Sequence, residues 1–324
     1  MSINRFLYPM LLTDQFYAST WMIVSAFLYS MQNVDARFSG NVFGFWTMCV
    51  FRGLMGSMLC ALMLLFPIKS TDAISFHRNT RLLVLRSVLG GATIITSFFA
   101  ILKCDLSTTT IITSTASLWT ALIGYIISPA KYKWQVHDLL IAVWCISGIV
   151  VLSSNQHEGV YYYVGIISAI LSAIFQSGVN LTIKQLDNEN PAWVALWGMV
   201  GSVVLGLPGL IYEVVHQKPH FTKATPFEWT SLTTTGILSA AAQYCKTHSI
   251  QISHSMSILI LRYMDAIFSV LWDVFLFHER LHWQTITGIS IVLTGCLMKL
   301  AIENRQQTIL TTPPLPLISN CDAK

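Results

Sequence analysis

The sequence predicts an all-α integral membrane protein whose ten transmembrane helices form two inverted five-helix repeats. Three observations predict it. Only 10% of the 324 residues are charged, 54% are hydrophobic and the mean hydropathy is +0.60. A soluble domain carries about 25% Asp, Glu, Lys and Arg, and the 19 cations and 15 anions here are too few to solvate a water-facing globule of this length. The second observation is ten apolar runs, most of them close to the roughly 20 residues that a bilayer-crossing helix needs. The third is a spacing shared by the two halves of the chain. The same composition excludes disorder, collagen and a small disulfide scaffold. A net charge of +4 with no basic patch excludes a nucleic-acid binder.

The runs fall at 15–34, 42–66, 81–102, 106–128, 138–153, 160–184, 193–213, 228–250, 254–277 and 284–302. The N-terminus lacks a basic segment followed by a small-residue cleavage site, so the first run is expected to be a retained span rather than a signal peptide. Pro67, Pro129, Pro191, Pro219 and Pro226 all fall in links or at span ends. Pro208 lies well inside the seventh run and predicts a kink there. The fifth run is short, and the eighth and ninth almost abut. Seven cysteines, with no CxxC spacing, sit mostly inside apolar runs, where Cys acts as a small hydrophobe.

Ten spans place both termini on one side. Segments on that side hold ten Lys and Arg, against five on the other, so the positive-inside rule makes both termini cytoplasmic. The sequon Asn180-Leu181-Thr182 then lies within a span and should not be glycosylated.

The repeat rests on parallel landmarks. Thr108 to Thr120 leads through Lys131-Tyr132-Lys133-Trp134-Gln135 to Cys145-Ile146-Ser147-Gly148. Ser255 to Ser269 leads through Glu279-Arg280-Leu281-His282-Trp283-Gln284 to Leu293-Thr294-Gly295-Cys296. The two Trp-Gln pairs are 149 residues apart. Five spans per half is odd, so the second half enters the membrane inverted, an architecture whose site lies at the interface of the halves. The expected units are 1–155, 156–305 and a cytoplasmic tail, 306–324, expected to be disordered.

Charges at membrane depth cost about 2.5–3.5 kcal/mol each on the insertion scale and mark candidate sites. They are Arg52, Arg86, Lys246, Arg262, Asp265 and Asp273, with a net charge of +2. At 100° per residue, Ser255, Arg262, Asp265, Ser269 and Asp273 share one face of the ninth helix. That face reads as a substrate or proton site, with Asp265 and Asp273 as proton-coupling candidates. The competing reading is an Arg262–Asp265 ion pair that merely joins helices. Helix 8 offers Ser239, Gln243 and Lys246 on one face, although Lys246 is near enough to the span end to snorkel. Helix 6 presents Ser172, Gln176, Asn180 and Lys184. Helix 4 presents Thr110, Ser114 and Ser117, the last two at repeat positions that roughly match Arg262 and Asp265. Such hydroxyls also serve as interhelical glue. Arg52 is near mid-span, whereas Arg86, five residues inside its run, reads as an interface anchor.

His278-Glu279-Arg280-Leu281-His282 fits H-E-x-x-H, but no third ligand suggests itself at that depth, so no metal is expected. There is no phosphate loop, and neither a cofactor nor an enzymatic activity is expected.

The segments Phe51-Arg52-Gly53, Leu85-Arg86-Ser87-Val88-Leu89-Gly90, Gln243 through Lys246 to Met264-Asp265, and Phe277-His278-Glu279-Arg280-Leu281-His282-Trp283-Gln284 carry a resemblance. They resemble the EamA-type fold of the drug/metabolite transporter superfamily over about 40–305, and within it the solute carrier 35 subfamily G. The last segment is similar to the family's "GERLxxWQ" pattern, departing from it in having His278 where Gly is usual. The first repeat has Ala130-Lys131 where that pattern has Glu.

The expected function is a secondary transporter or exchanger that moves a small organic anion, carboxylates included, by alternating access. Arg262 and Lys246 would bind the anion, with Gln243, Asp265, Ser269, Arg52, Ser114, Ser117, Gln176 and Asn180 around it. The resemblance offers nucleotide-sugar exchange as an alternative, and a non-transporting regulatory membrane protein is a third reading. The partners are the lipid bilayer and the small molecule, with a homodimer as a further option and no nucleic acid.

Overall fold

A computed structural model describes residues 4–40, 42–65, 79–104, 106–127, 160–216, 224–253 and 256–278, with parts of 140–151 and 283–301. The helices are α1 (Asn4–Gly40), α2 (Phe45–Leu65), α3 (Thr80–Lys103), α4 (Leu106–Ser114), α5 (Ala116–Ile127), α6 (Val160–Gln185), α7 (Pro191–His216) and α8 (Pro226–Ile252). A 3-10 segment, Met256–Tyr263, leads into α9 (Met264–Phe275). Every described element is helical. Five stretches are long and apolar enough to cross a membrane: Phe45–Leu65, Thr80–Lys103, Thr108–Ile127, Tyr161–Gln185 and Pro191–His216. The helices are polar inside and apolar outside. On α7, for example, Ser202 and Glu213 are buried while Val204, Leu207 and Ile211 are exposed, as expected of a protein whose solvent is lipid.

Local chemistry explains where the helices begin and break. Thr225 and Glu228 form a capping box at the start of α8, and Pro226 supplies a preset φ at its first position. The fourth run, expected as one helix, breaks at Thr115. There the amide bonds to Ile112 O at 3.1 Å, a tightened turn. The run is rich in threonine, and Thr110, Thr113 and Thr115 all donate their hydroxyls to carbonyls three or four residues back. Such bonds compete with the helical ladder and bend it.

The ninth run departs from expectation in the same way. It is a 3-10 helix through Tyr263 before becoming α, so a uniform 100° stripe does not describe it. The i, i+3 ion pair between Arg262 and Asp265 does not form, since Asp265 Oδ1 has no partner among the described residues. The junction of the two forms, at Tyr263–Met264, is 149 residues beyond the break at Thr115. That is the spacing of the Trp-Gln pairs.

α1 is longer than the expected span, and α7 runs on through Pro208 without interruption. His278 has φ 50°, in the left-handed region that favours glycine, which accounts for the Gly usual there in the resembled pattern. Ser255, Lys131 to Gln135, Glu279 to His282, Gln284 and the tail lie outside the described residues.

The pairs α1 with α8, α2 with α7 and α3 with α6 pack antiparallel, and α3 also packs on α7. Ser231 Oγ of α8 donates to Asp35 O of α1, and Ser249 Oγ at the other end of α8 donates to Ala18 O. Close approach of α3 and α7 depends on small residues. A Cβ on Gly91 would lie 2.5 Å from Gly201 O, so neither position tolerates a side chain there. At one end of the bundle, Glu213 of α7 accepts from Thr47 N and Thr47 Oγ1, both at 2.8 Å, capping α2 with a carboxylate from another helix.

Candidate functional site

The polar faces of these helices converge on one cavity. The α1 face is built at helical spacing by Ser25, Tyr29 and Gln32, and Tyr29, Gln32 and Asn33 line the cavity. α2 contributes Arg52. α3 contributes Arg86, Thr93, Ser97 and Phe98. Thr113 comes from α4 just before its break, Gln176 from α6 and Gln243 from α8. Arg262 and Asp265 enter on either side of the 3-10 to α junction. Breaks of this kind are where irregular backbone and polar groups are tolerated at membrane depth, because they face a cavity.

The electrostatics are one-sided. Arg52 and Arg86 are 2% and 0% exposed. Each donates a single neutral hydrogen bond, Arg52 Nη2 to Gln32 Oε1 at 3.2 Å and Arg86 Nη2 to Gln243 Oε1 at 3.0 Å. Nε and Nη1 of Arg52, Arg86 and Arg262 have no partner among the described residues. Arg52 lies over the ring of Phe98 at 5.1 Å, and Arg262 over that of Tyr29 at 5.2 Å. Lys246, one turn beyond Gln243, is 0% exposed, so it does not snorkel. Its Nζ is also unpartnered and is near enough to Arg262 and Arg86 to be repelled by both. Among the described residues, Asp265 is the one carboxylate lining the cavity.

The expected residues therefore separate into two groups. Arg262, Asp265, Arg52, Gln243 and Gln176 line the cavity, Lys246 stands beside it, and Ser114 is buried with a free hydroxyl. The others hold helices together. Ser117 Oγ bonds to Tyr263 OH at 3.2 Å, and Ser269 Oγ donates to Thr110 Oγ1 at 3.1 Å. Asn180 accepts from Gln176 and donates to Thr120. Asp273 pairs with Arg37 at 3.1 Å. Tyr29, Gln32 and Thr113 were not among the expected site residues, and Arg86, counted among the charges at depth, was expected as an interface anchor. The spacing Ser25, Tyr29, Gln32 could have revealed the α1 face, and Gly90 one turn after Arg86 marks room for a large head group.

The cavity leaves about 40 Å3 for the centres of water molecules. One water needs about 10–15 Å3 by that measure, so the space takes a few waters and no organic molecule in this conformation.

Comparison with known proteins is in keeping with this geometry. Residues 163–300 match the EamA-like transporter family. An uncharacterized transporter of Helicobacter pylori is 26% identical over 246 residues, covering 75% of this chain and 81% of its own. A pseudopaline exporter of Pseudomonas aeruginosa is 19% identical, covering 85% and 93%. Human solute carrier family 35 member G1 is 21% identical, covering 85% and 76%. A crystal structure superposes with a TM-score of 0.66 at 14% identity, over 90% of this chain and 98% of the other, which supports the fold alone.

Proposed function

We propose that the chain is an EamA-type, solute carrier 35 subfamily G-like membrane transporter that moves a small organic anion by alternating access. One observation carries the choice of anion. Three buried cations, Arg52, Arg86 and Lys246, and the half-buried Arg262 keep unused N–H groups around or beside one cavity, against one carboxylate among the described lining residues, that of Asp265. Uncompensated charge in so dry a place is costly, and a bound anion relieves it through charge-assisted hydrogen bonds.

In this reading Arg262 and Lys246 are the primary ligands and Arg52 shares the anion. Ser114 and Gln176 supply neutral contacts, and Gln243 holds Arg86. Asp265, free of an ion pair with Arg262, carries the coupled proton. Asp273 is engaged by Arg37 and is the weaker candidate.

The mechanism is the rocking of two inverted five-helix repeats with both termini cytoplasmic. The packing supports it. Exchanging α1 with α6, α2 with α7, α3 with α8 and α4–α5 with the ninth run maps the contacts onto themselves. The pair α1·α8 becomes α6·α3, α2·α8 becomes α7·α3, and α2·α7 maps to itself. The polar lining of the cavity weighs against a purely regulatory role.

The test is uptake of a panel of radiolabelled organic acids into proteoliposomes at two pH values. Arg262→Ala and Lys246→Ala should each lower uptake at least about tenfold, the worth of one lost charged hydrogen bond. Retained uptake in both variants would sink the site assignment. Exchange of nucleotide sugars, with no acid uptake, would favour the alternative substrate.

A further inference from the structure

Buried arginines are ordinarily met by carboxylates, because an amide leaves the charge unneutralised. Here two of them, from different helices, are met by glutamines. Gln32 and Gln243 are 2% and 4% exposed. Each points its amide oxygen at one Nη2, of Arg52 and Arg86 respectively. Both guanidinium groups retain Nε and Nη1 unpartnered among the described residues. The two glutamines stand on α1 and α8, which pack against each other, so they approach the cavity from one side. The surroundings complete the fixing of each head group without adding charge: the Phe98 ring for Arg52, and the bare backbones of Gly90 and Gly198 for Arg86.

We propose that Gln32 and Gln243 are positioning residues that set the charge selectivity of the cavity. They orient Arg52 and Arg86 and withhold the internal counter-ion, so that the substrate must bring it. A glutamate at either position has the same length and the same acceptor. It would hold the arginine at least as well, and it would compete with the substrate for its charge. This inference rests on the anion-transport reading and assigns to Arg86 a share in binding.

The experiment measures binding of inorganic phosphate, succinate and a hexose phosphate to the purified full chain. Binding of succinamide, the uncharged analogue of succinate, is measured alongside, and melting temperature is recorded throughout. Gln32→Glu and Gln243→Glu should each weaken the anions at least tenfold and leave succinamide within about twofold, with a melting temperature unchanged or raised. Gln32→Met and Gln243→Met remove the acceptor but leave the charge in place, and should keep the preference for succinate over succinamide. They provide the test where a glutamate variant does not fold. Glutamate variants that bind the anions like wild type overturn the inference while the anion reading stands. Methionine variants that lose the preference as fully as the glutamate variants also overturn it, since charge would then not be what the glutamines control. Wild-type protein that binds none of the anions sinks the anion reading, and this inference with it.

Discussion

Arg86 has its place because two neighbouring positions have no side chain. A Cβ on Gly198 would lie 2.9 Å from both Nη1 and Nη2 of Arg86, and one on Gly90 would lie 2.5 Å from Nη1. The obstruction is the far end of a flexible side chain, so the added methyl moves the guanidinium group rather than the helix. On the proposed anion-binding function, Gly198→Ala should therefore fold, melt within a few degrees of wild type, and bind the anion about tenfold more weakly, consistent with one charged hydrogen bond lost. Ligand binding and thermal melting on the same preparation check this; a protein that no longer folds would instead make Gly198 a packing residue. The polar groups at depth were legible in the sequence because charge is scarce there. Their partners were not. Depth counted in residues from a span end made Arg86 look like an interface anchor, whereas α3 packs on both α6 and α7 and turns that residue inward. Spacing alone likewise suggested the Arg262–Asp265 pair, which does not form among the described residues.

Between elements, the contact with the clearest energetic consequence joins α1 to α9. Arg37 Nη1 donates to Asp273 Oδ1 at 3.1 Å, with Asp273 1% exposed, and the same guanidinium lies 4.4 Å from the Phe277 ring centroid. Removing either partner leaves a charge with poorer compensation. Arg37→Ala and Asp273→Ala should each cost about 1–3 kcal/mol, with the double variant costing less than their sum, because coupled partners are not additive. Denaturation in detergent, analysed as a double-mutant cycle, measures the coupling. Strict additivity would mean that the pair does not act together. At this scale the helix limits were largely legible, since apolar runs and prolines bound them: the run at 160–184 corresponds to Val160–Gln185 and that at 81–102 to Thr80–Lys103. The internal breaks were not. Each run is continuous in length, and the break at Thr115 depends on hydroxyl-to-carbonyl bonds that hydropathy does not register.

Over the whole molecule, the cavity lies between two fastenings, one toward each end of the bundle. Arg37 is eight residues beyond Tyr29, and Asp273 is eight beyond Asp265. At 1.5 Å per residue the ion pair is therefore about 12 Å from the cavity. At the opposite end, Lys184, eight residues beyond Gln176, donates to Ile250 O and Ser253 O at the end of α8. A cation there also suits the negative end of the helix dipole. Gln251 Nε2 strengthens that end by donating to Leu186 O and Glu189 O. Alternating access requires the two fastenings to open in turn. Weakening one by about 1.4 kcal/mol should raise the population open on its side about tenfold. A cysteine replacing Ser97, which lines the cavity, provides the reporter when labelled with a membrane-impermeant thiol reagent from either face. With Arg37→Ala, labelling should accelerate only from the face carrying the end of α1. With Lys184→Ala it should accelerate only from the face carrying the N-terminus, which is the cytoplasmic one on the positive-inside count. Of the seven native cysteines, Cys49, Cys60, Cys104 and Cys245 are buried, and the parent chain, with Ser97 in place, measures the background of all seven. Acceleration from the same face in both variants, or from neither, would mean that these contacts are not gates and that the halves do not rock about this cavity.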